Sequence, residues 1–104
     1  MKTEDLAREV LSKLTDEGRT LATAESCTGG LLGKLLTDIP GASNAYKGGV
    51  ISYVSEVKHR LLGVEQETLD VCTAVSRETA HEMAKGAREA VKADVGVSTT
   101  GLAG

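Results

Sequence analysis

The stretch from Thr20 to Leu36 constrains the fold most. A short apolar run, Thr20-Leu21-Ala22-Thr23, leads into the polar turn Ala24-Glu25-Ser26-Cys27-Thr28-Gly29-Gly30. A Leu-rich segment, Leu31-Leu32-Gly33-Lys34-Leu35-Leu36, follows it. That order reads as strand, tight turn and helix. The turn gathers two hydroxyls, a thiol and a glycine pair where a helix start leaves backbone N–H groups without intrahelical acceptors. Such a corner suits an anionic or carbonyl-bearing ligand.

The flanking segments extend the same alternation. Residues 4–17 place Leu6, Val10, Leu11 and Leu14 on one helical stripe, with Thr3 as a cap, Glu4 and Asp5 in the first turn and Gly18 at the end. Thr20 to Ala24 reads as a strand and residues 28–37 as a helix, stopped by Asp38-Ile39-Pro40-Gly41. A loop over 42–48 leads to a strand over Gly49–Val54, where β-branched residues concentrate. Ser55 is placed to cap a short helix through Leu62, closed by Gly63, and residues 65–73 read as a helical turn. Ser76 is placed to cap a long helix carrying Ala80, Met83, Ala84, Ala87 and Val91 on one stripe. These small side chains call for close packing against a neighbour. Asp94–Ser98 completes the pattern as a strand. The order predicts an α/β layered domain, a largely parallel sheet flanked by helices. Ligands of such sheets collect beyond the carboxyl ends of the strands. Three polar corners meet that description: Glu25–Gly30, Tyr53–Lys58 and Thr99–Gly101.

Composition narrows the function classes. With 104 residues there is room for one domain, spanning 1–104. A net charge of −3, with Lys and Arg scattered among acids, argues against a nucleic-acid surface. No apolar run is long enough to span a membrane, and the acidic start Met1-Lys2-Thr3-Glu4-Asp5 is not that of a signal peptide. A cytoplasmic protein is expected, with Cys27 and Cys72 as reduced thiols. Without a CxxC pair, and with His59 and His81 standing alone, no metal site is expected. Tyr46 and Tyr53 are the only aromatic residues, so the core is built from Leu, Val, Ile and Ala. The chain stops in a glycine-containing loop directly after its last strand, so an incomplete or partly ordered domain is expected.

Ser43, Tyr53 and Lys58 are the set that can do nucleophilic chemistry. Serine is a poor nucleophile until a base takes its proton; a neutral lysine can be that base and a tyrosine hydroxyl can relay the proton. Lysine at an ordinary pKa of about 10.4 is charged, so burial or neighbouring positive charge is needed to lower it. The competing reading is a turn serine and a solvated lysine. Ser26, Thr28, Gly29 and Gly30 can grip a phosphate or amide, or can simply form a tight turn. Cys27 is either a nucleophile at a helix start or a small filler. Thr99, Thr100 and Gly101 either complete a pocket or form a frayed end.

Taken together, these residues resemble the C-terminal domain of the competence/damage-inducible CinA family, which includes the nicotinamide mononucleotide deamidases. The resemblance rests on Thr23-Ala24-Glu25-Ser26-Cys27-Thr28-Gly29-Gly30, Ile39-Pro40-Gly41-Ala42-Ser43, and Gly48-Gly49-Val50-Ile51-Ser52-Tyr53 with Glu56 and Lys58. Leu62-Gly63-Val64, Ala74-Val75-Ser76 and Thr100-Gly101-Leu102-Ala103-Gly104 continue it in family order. It implies an amidohydrolase that releases ammonia from the carboxamide of nicotinamide mononucleotide, giving nicotinic acid mononucleotide. Ser43 aligns with the catalytic serine and Tyr53 and Lys58 with its partners. The resemblance further implies a substrate pocket at Ser26, Thr28, Gly29, Gly30, Thr100 and Gly101, no cofactor or metal, and a homodimer. A non-catalytic nucleotide-binding or regulatory module of the same fold is the alternative. The family often has paired serines where this chain has Ala42-Ser43. Family domains also continue past the Gly-Leu-Ala-Gly loop, so weak or no activity is expected of a chain ending at Gly104.

Overall fold

A computed structural model describes residues 2–102. The elements run α1 (Thr3–Asp16), β1 (Leu21–Glu25), α2 (Leu31–Thr37), a single 3-10 turn (Ala42–Asn44), β2 (Tyr46–Ile51), α3 (Ser55–Leu62), α4 (Gln66–Cys72), α5 (Arg77–Val91) and β3 (Val95–Ser98). The three strands form one parallel sheet in the order β2-β1-β3, the expected α/β architecture. Being central, β1 is buried at every residue. That is why its sequence is a run of small and apolar residues rather than an alternation.

Alternation along β1 sends its side chains into two cores. Leu21 packs with Ala7, Leu11, Leu36, Ile39, Ala42 and Ala45, under α1 and α2. Ala22 and Ala24 pack with Leu62, Val64, Leu69, Met83 and Ala87, under α3, α4 and α5. The second layer is close because glycine permits it. A Cβ on Gly86 of α5 would lie 1.8 Å from the Leu62 carbonyl oxygen, and one on Gly96 of β3 would lie 2.2 Å from that of Ala84. Backbone therefore meets backbone where α5 crosses α3 and β3.

Several expected boundaries move. β2 begins at Tyr46, within the expected loop, and ends at Ile51 rather than Val54. Leu21 pairs with Tyr46 but Ala22 pairs with Gly48, so Lys47 is an extra residue that Gly48 absorbs at φ +150°. Helix α2 starts at Leu31, not at residue 28, because Gly30 stands at φ +109° immediately before it. Thr3 and Ser55 do not cap; Lys2 and Val54 occupy those positions without side-chain bonds. Ser76 does cap α5, accepting from the Thr79 N–H. Leu6 and Val10 of the α1 stripe are exposed and line an apolar groove with Leu32, Leu35 and Val97. Ala103 and Gly104, part of the terminal family stretch, lie outside the described residues.

Candidate functional site

All three strands run parallel, so their carboxyl ends open onto one edge of the sheet. Two backbone bonds draw the corners together there: Ser52 N–H donates to the Glu25 carbonyl at 2.7 Å, and Thr99 N–H donates to the Ala24 carbonyl at 2.9 Å. Lys58 enters from α3, its carbonyl held by the Val64 N–H. Its ammonium reaches the Ser26 hydroxyl at 3.0 Å, the Ser52 carbonyl at 2.7 Å and the Tyr53 carbonyl at 3.4 Å. Lys58 is only 2% exposed and Ser26 5%. Burial pushes the Lys58 pKa below the ordinary lysine value, and negative charge at the neighbouring Cys27 would act the other way.

The three contacts satisfy Lys58 in either protonation state. Charged, the ammonium donates one proton to each acceptor. Neutral, the amine keeps two donors for the carbonyls of Ser52 and Tyr53, and its lone pair accepts the Ser26 O–H. A serine whose proton can pass to a buried lysine at 3.0 Å is the chemical content of this corner.

Ser43 is not part of it. It lies exposed in the 3-10 turn that precedes β2, whereas Lys58 follows the other end of that strand. Six residues of β2 separate the two ends, roughly 20 Å at strand rise. The expected convergence of Ser43 with Lys58 is thus corrected: a turn before a parallel strand opens at the amino edge of the sheet. Tyr53 does stand at the carboxyl edge, but its side chain is 68% exposed, and its contact with Lys58 is through its carbonyl.

The Ser26–Gly30 turn is held from inside. Glu25, 2% exposed, accepts at Oε1 from the Gly30 and Leu32 N–H groups at 3.1 and 2.8 Å and from the Thr28 hydroxyl at 2.7 Å. Its Oε2 accepts from the Gly33 N–H at 2.9 Å. Burial alone would raise its pKa; the N–H of Gly33, the Thr28 hydroxyl and the N–H groups of Leu32 and Gly30 together hold it below the ordinary glutamate value. The helix-start N–H groups expected to meet an anion are therefore already taken, by a carboxylate of the chain itself. The Gly29 N–H donates to the Ser26 carbonyl. Among the described residues, the N–H groups of Cys27 and Thr28 meet no acceptor.

The β3 corner joins the same edge. The Thr28 and Thr99 hydroxyls are 2.8 Å apart, and the Thr100 hydroxyl donates to the Ala74 carbonyl at 2.7 Å. Gly101 sits so close to Cys27 that a Cβ there would be 3.3 Å from its Sγ. Both cysteines are free thiols. No group of three side chains able to hold a metal occurs among the described residues, and no described helix is long and apolar enough to cross a membrane. The structure thus joins Ser26, Thr28, Gly29, Gly30, Lys58, Thr100 and Gly101 along one edge. Ser26 as the hydroxyl on Lys58 and Thr99 as the partner of Thr28 escaped the sequence, whereas Glu25, which the sequence left open between the turn backbone and a ligand, bonds the turn backbone. One signal was available: Ser26 and Lys58 both follow strands, whereas Ser43 precedes one.

A parallel α/β domain with a serine–lysine contact at its carboxyl edge is the class of protein that fold and site define. The chain belongs to the CinA family: the family model described as the CinA C-terminal domain matches residues 3–104. It is 54% identical over 101 residues to a putative competence-damage inducible protein of Caldanaerobacter subterraneus, covering 97% of this chain and 24% of that protein. It is 51% identical over 102 residues to a CinA-like protein of Leptospira borgpetersenii, covering 98% and 24%. The crystal structure of competence damage-inducible protein A from Klebsiella pneumoniae superposes with a TM-score of 0.96 at 38% identity, covering 100% of this chain and 65% of that one. The CihA structure from Agrobacterium tumefaciens gives 0.83 at 42% identity, covering 89% and 55%. The chain therefore spans about a quarter of the length of the curated relatives it matches.

Proposed function

We propose that this domain is an amidohydrolase in which Ser26, not Ser43, is the nucleophile and Lys58 its base, and that the carboxamide of nicotinamide mononucleotide is its substrate. The 3.0 Å contact between Ser26 Oγ and Lys58 Nζ carries the reading. Neutral Lys58 takes the Ser26 proton as Oγ attacks the carboxamide carbon. The unengaged N–H groups of Cys27 and Thr28 are the available donors for the oxyanion; one such donor contributes about 3–4 kcal/mol in comparable sites. Collapse of the tetrahedral intermediate breaks the C–N bond, and Lys58 returns the proton to the leaving nitrogen, releasing ammonia. Water, deprotonated by Lys58, then hydrolyses the acyl-serine to the acid. Tyr53 offers an exposed ring and phenol at the same edge, and this reading assigns substrate contacts to Thr28, Gly29, Gly30, Thr100 and Gly101. On this reading the protein is cytoplasmic and a homodimer, as the family resemblance implies, and needs no metal.

One observation favours a second reading. A charged Lys58 finds three acceptors for its three protons, so the same corner can serve a nucleotide-binding module that never turns its ligand over. Ammonia release from nicotinamide mononucleotide, measured on the full-length protein, separates the two. Turnover that falls at least about 10³-fold in both Ser26→Ala and Lys58→Ala supports the enzyme. Binding of the nucleotide with no ammonia in the wild type supports the module.

A further inference from the structure

The α2 start is capped in an unusual way. Its flanking residue, Gly30, offers no side chain, and the N–H groups of Gly30 and of Leu32 and Gly33 in the first turn are collected instead by a carboxylate five to eight residues upstream. A serine or aspartate cap is barred at this position, because Gly30 stands at φ +109° and a Cβ there would lie 3.0 Å from the Ile51 side chain. No cation pairs with Glu25 among the described residues; its charge is met by N–H groups and one hydroxyl. What this carboxylate does that a local cap could not is to hold both ends of the turn. It belongs to the residue immediately before Ser26 and grips the residues immediately after Gly29.

The neighbouring hydroxyls follow from it. A carboxylate only accepts, so the Thr28 O–H gives its proton to Glu25. Thr28 then meets Thr99 as an acceptor, and the Thr99 O–H is the donor of that 2.8 Å bond. Gly33 belongs to the same device: a Cβ there would lie 3.1 Å from the Tyr46 phenol oxygen and 3.4 Å from Glu25 Oε2. A methyl group there would crowd the Tyr46 phenol and sit in contact with the carboxylate, so glycine lets α2 come down onto Glu25 with the phenol undisturbed.

We propose that Glu25 is a positioning residue, which clamps the Ser26–Gly30 turn so that Ser26 Oγ stays on Lys58 Nζ and which sets the donor direction of the Thr28–Thr99 hydroxyl pair. The proposal rests on the serine–lysine reading for its kinetic consequence, though not for its geometry. Glu25 touches no reacting atom; it acts through the backbone and through Thr28.

The test uses the full-length protein and its E25A, E25Q and T28V variants, with folding checked by circular dichroism. Two readouts are followed: the rate of ammonia release from nicotinamide mononucleotide, and the titration midpoint of Lys58 from its 13Cε chemical shift. In E25A the freed turn leaves Ser26 out of register, so kcat falls on the order of 100-fold. KM moves less, and the Lys58 midpoint rises toward the ordinary lysine value as water enters. E25Q keeps the acceptor at Oε1 and loses only the bond to Gly33, so it restores most of both. T28V cuts the link to Thr99 while leaving the carboxylate, and falls between the two.

A merely structural Glu25 would lower the melting temperature in E25A and leave the Lys58 midpoint where it was, and that result overturns the proposal. If the wild type releases no ammonia, the enzyme reading fails, and the Lys58 midpoint alone then decides on Glu25. If E25A does not fold, an unmoved midpoint in T28V overturns the proposal and a raised one supports it.

Discussion

Lys58 has two jobs that pull its protonation in opposite directions. As a buried group it is less costly neutral, and as the partner of two carbonyls and a hydroxyl it is well satisfied when charged. Burial prevails and lowers its pKa. A base must be neutral to accept a proton, so on the proposed reading, with Lys58 as the base, kcat/KM for ammonia release should rise with pH through that lowered value and level off before the ordinary 10.5 of lysine. A stopped assay over a pH series measures it; a profile with no rise anywhere below the ordinary lysine value would remove Lys58 as the base. Ser43→Ala supplies the companion prediction. Its hydroxyl is exposed at the far edge of the sheet, so the variant should keep activity within about twofold of wild type, as surface changes away from the chemistry do. The sequence showed that a serine, a lysine and a tyrosine were available, and family order singled out Ser43. Which serine meets the lysine depends on which edge of the sheet each turn opens toward. That follows from β2 running parallel to β1, a long-range fact that spacing does not carry.

At the scale of elements, α5 was legible because its signals agree: a Ser76 cap, an acidic first turn and a stripe of small residues. β2 was less so, because Tyr46 and Lys47 carry no run of β-branched residues and Gly48 breaks the register. The small stripe on α5 proves to be a backbone crossing. At Gly86 the helix meets the Leu62 carbonyl, which leaves no room for a methyl group. Gly86→Ala should therefore destabilise the domain by about 3 kcal/mol or more, beyond the few tenths to 1 kcal/mol that better helix propensity returns. Urea unfolding checks it. A variant as stable as wild type would mean that α3 and α5 can part by more than an ångström without loss. The crossing matters to the site because α3 carries Lys58 on the turn before Leu62. Loosening it should also lower ammonia release.

At the scale of the whole molecule, two carboxylates with lowered pKa values set the response to acid. Glu25 ties β1 to α2, with its pKa below the ordinary 4.5. Asp94 ties the start of β3 to that of β1. The Thr20 N–H and hydroxyl hold its pKa below the ordinary 3.8, with Arg19 and Lys47 adding to them. Both groups bind protons more weakly folded than unfolded, so acid favours the unfolded chain. Their stabilisation is complete above the unfolded values and is lost as pH falls through the lower folded ones. Lys58 adds no slope there, because far below its pKa it is charged in both states. The urea midpoint should accordingly hold steady from pH 7 to about 5 and then fall progressively toward pH 3. Glu25→Gln should flatten the upper part of that fall, and Asp94→Asn the lower part, since the ordinary glutamate value lies above that of aspartate. Asp94 works at the surface, where added salt weakens only the Arg19 and Lys47 contributions. Glu25 is itself buried and is held by backbone N–H groups, so its share of the slope should survive 0.5 M salt. A fall that vanishes in salt would place the acid response in surface charge and not in the clamp beneath Ser26.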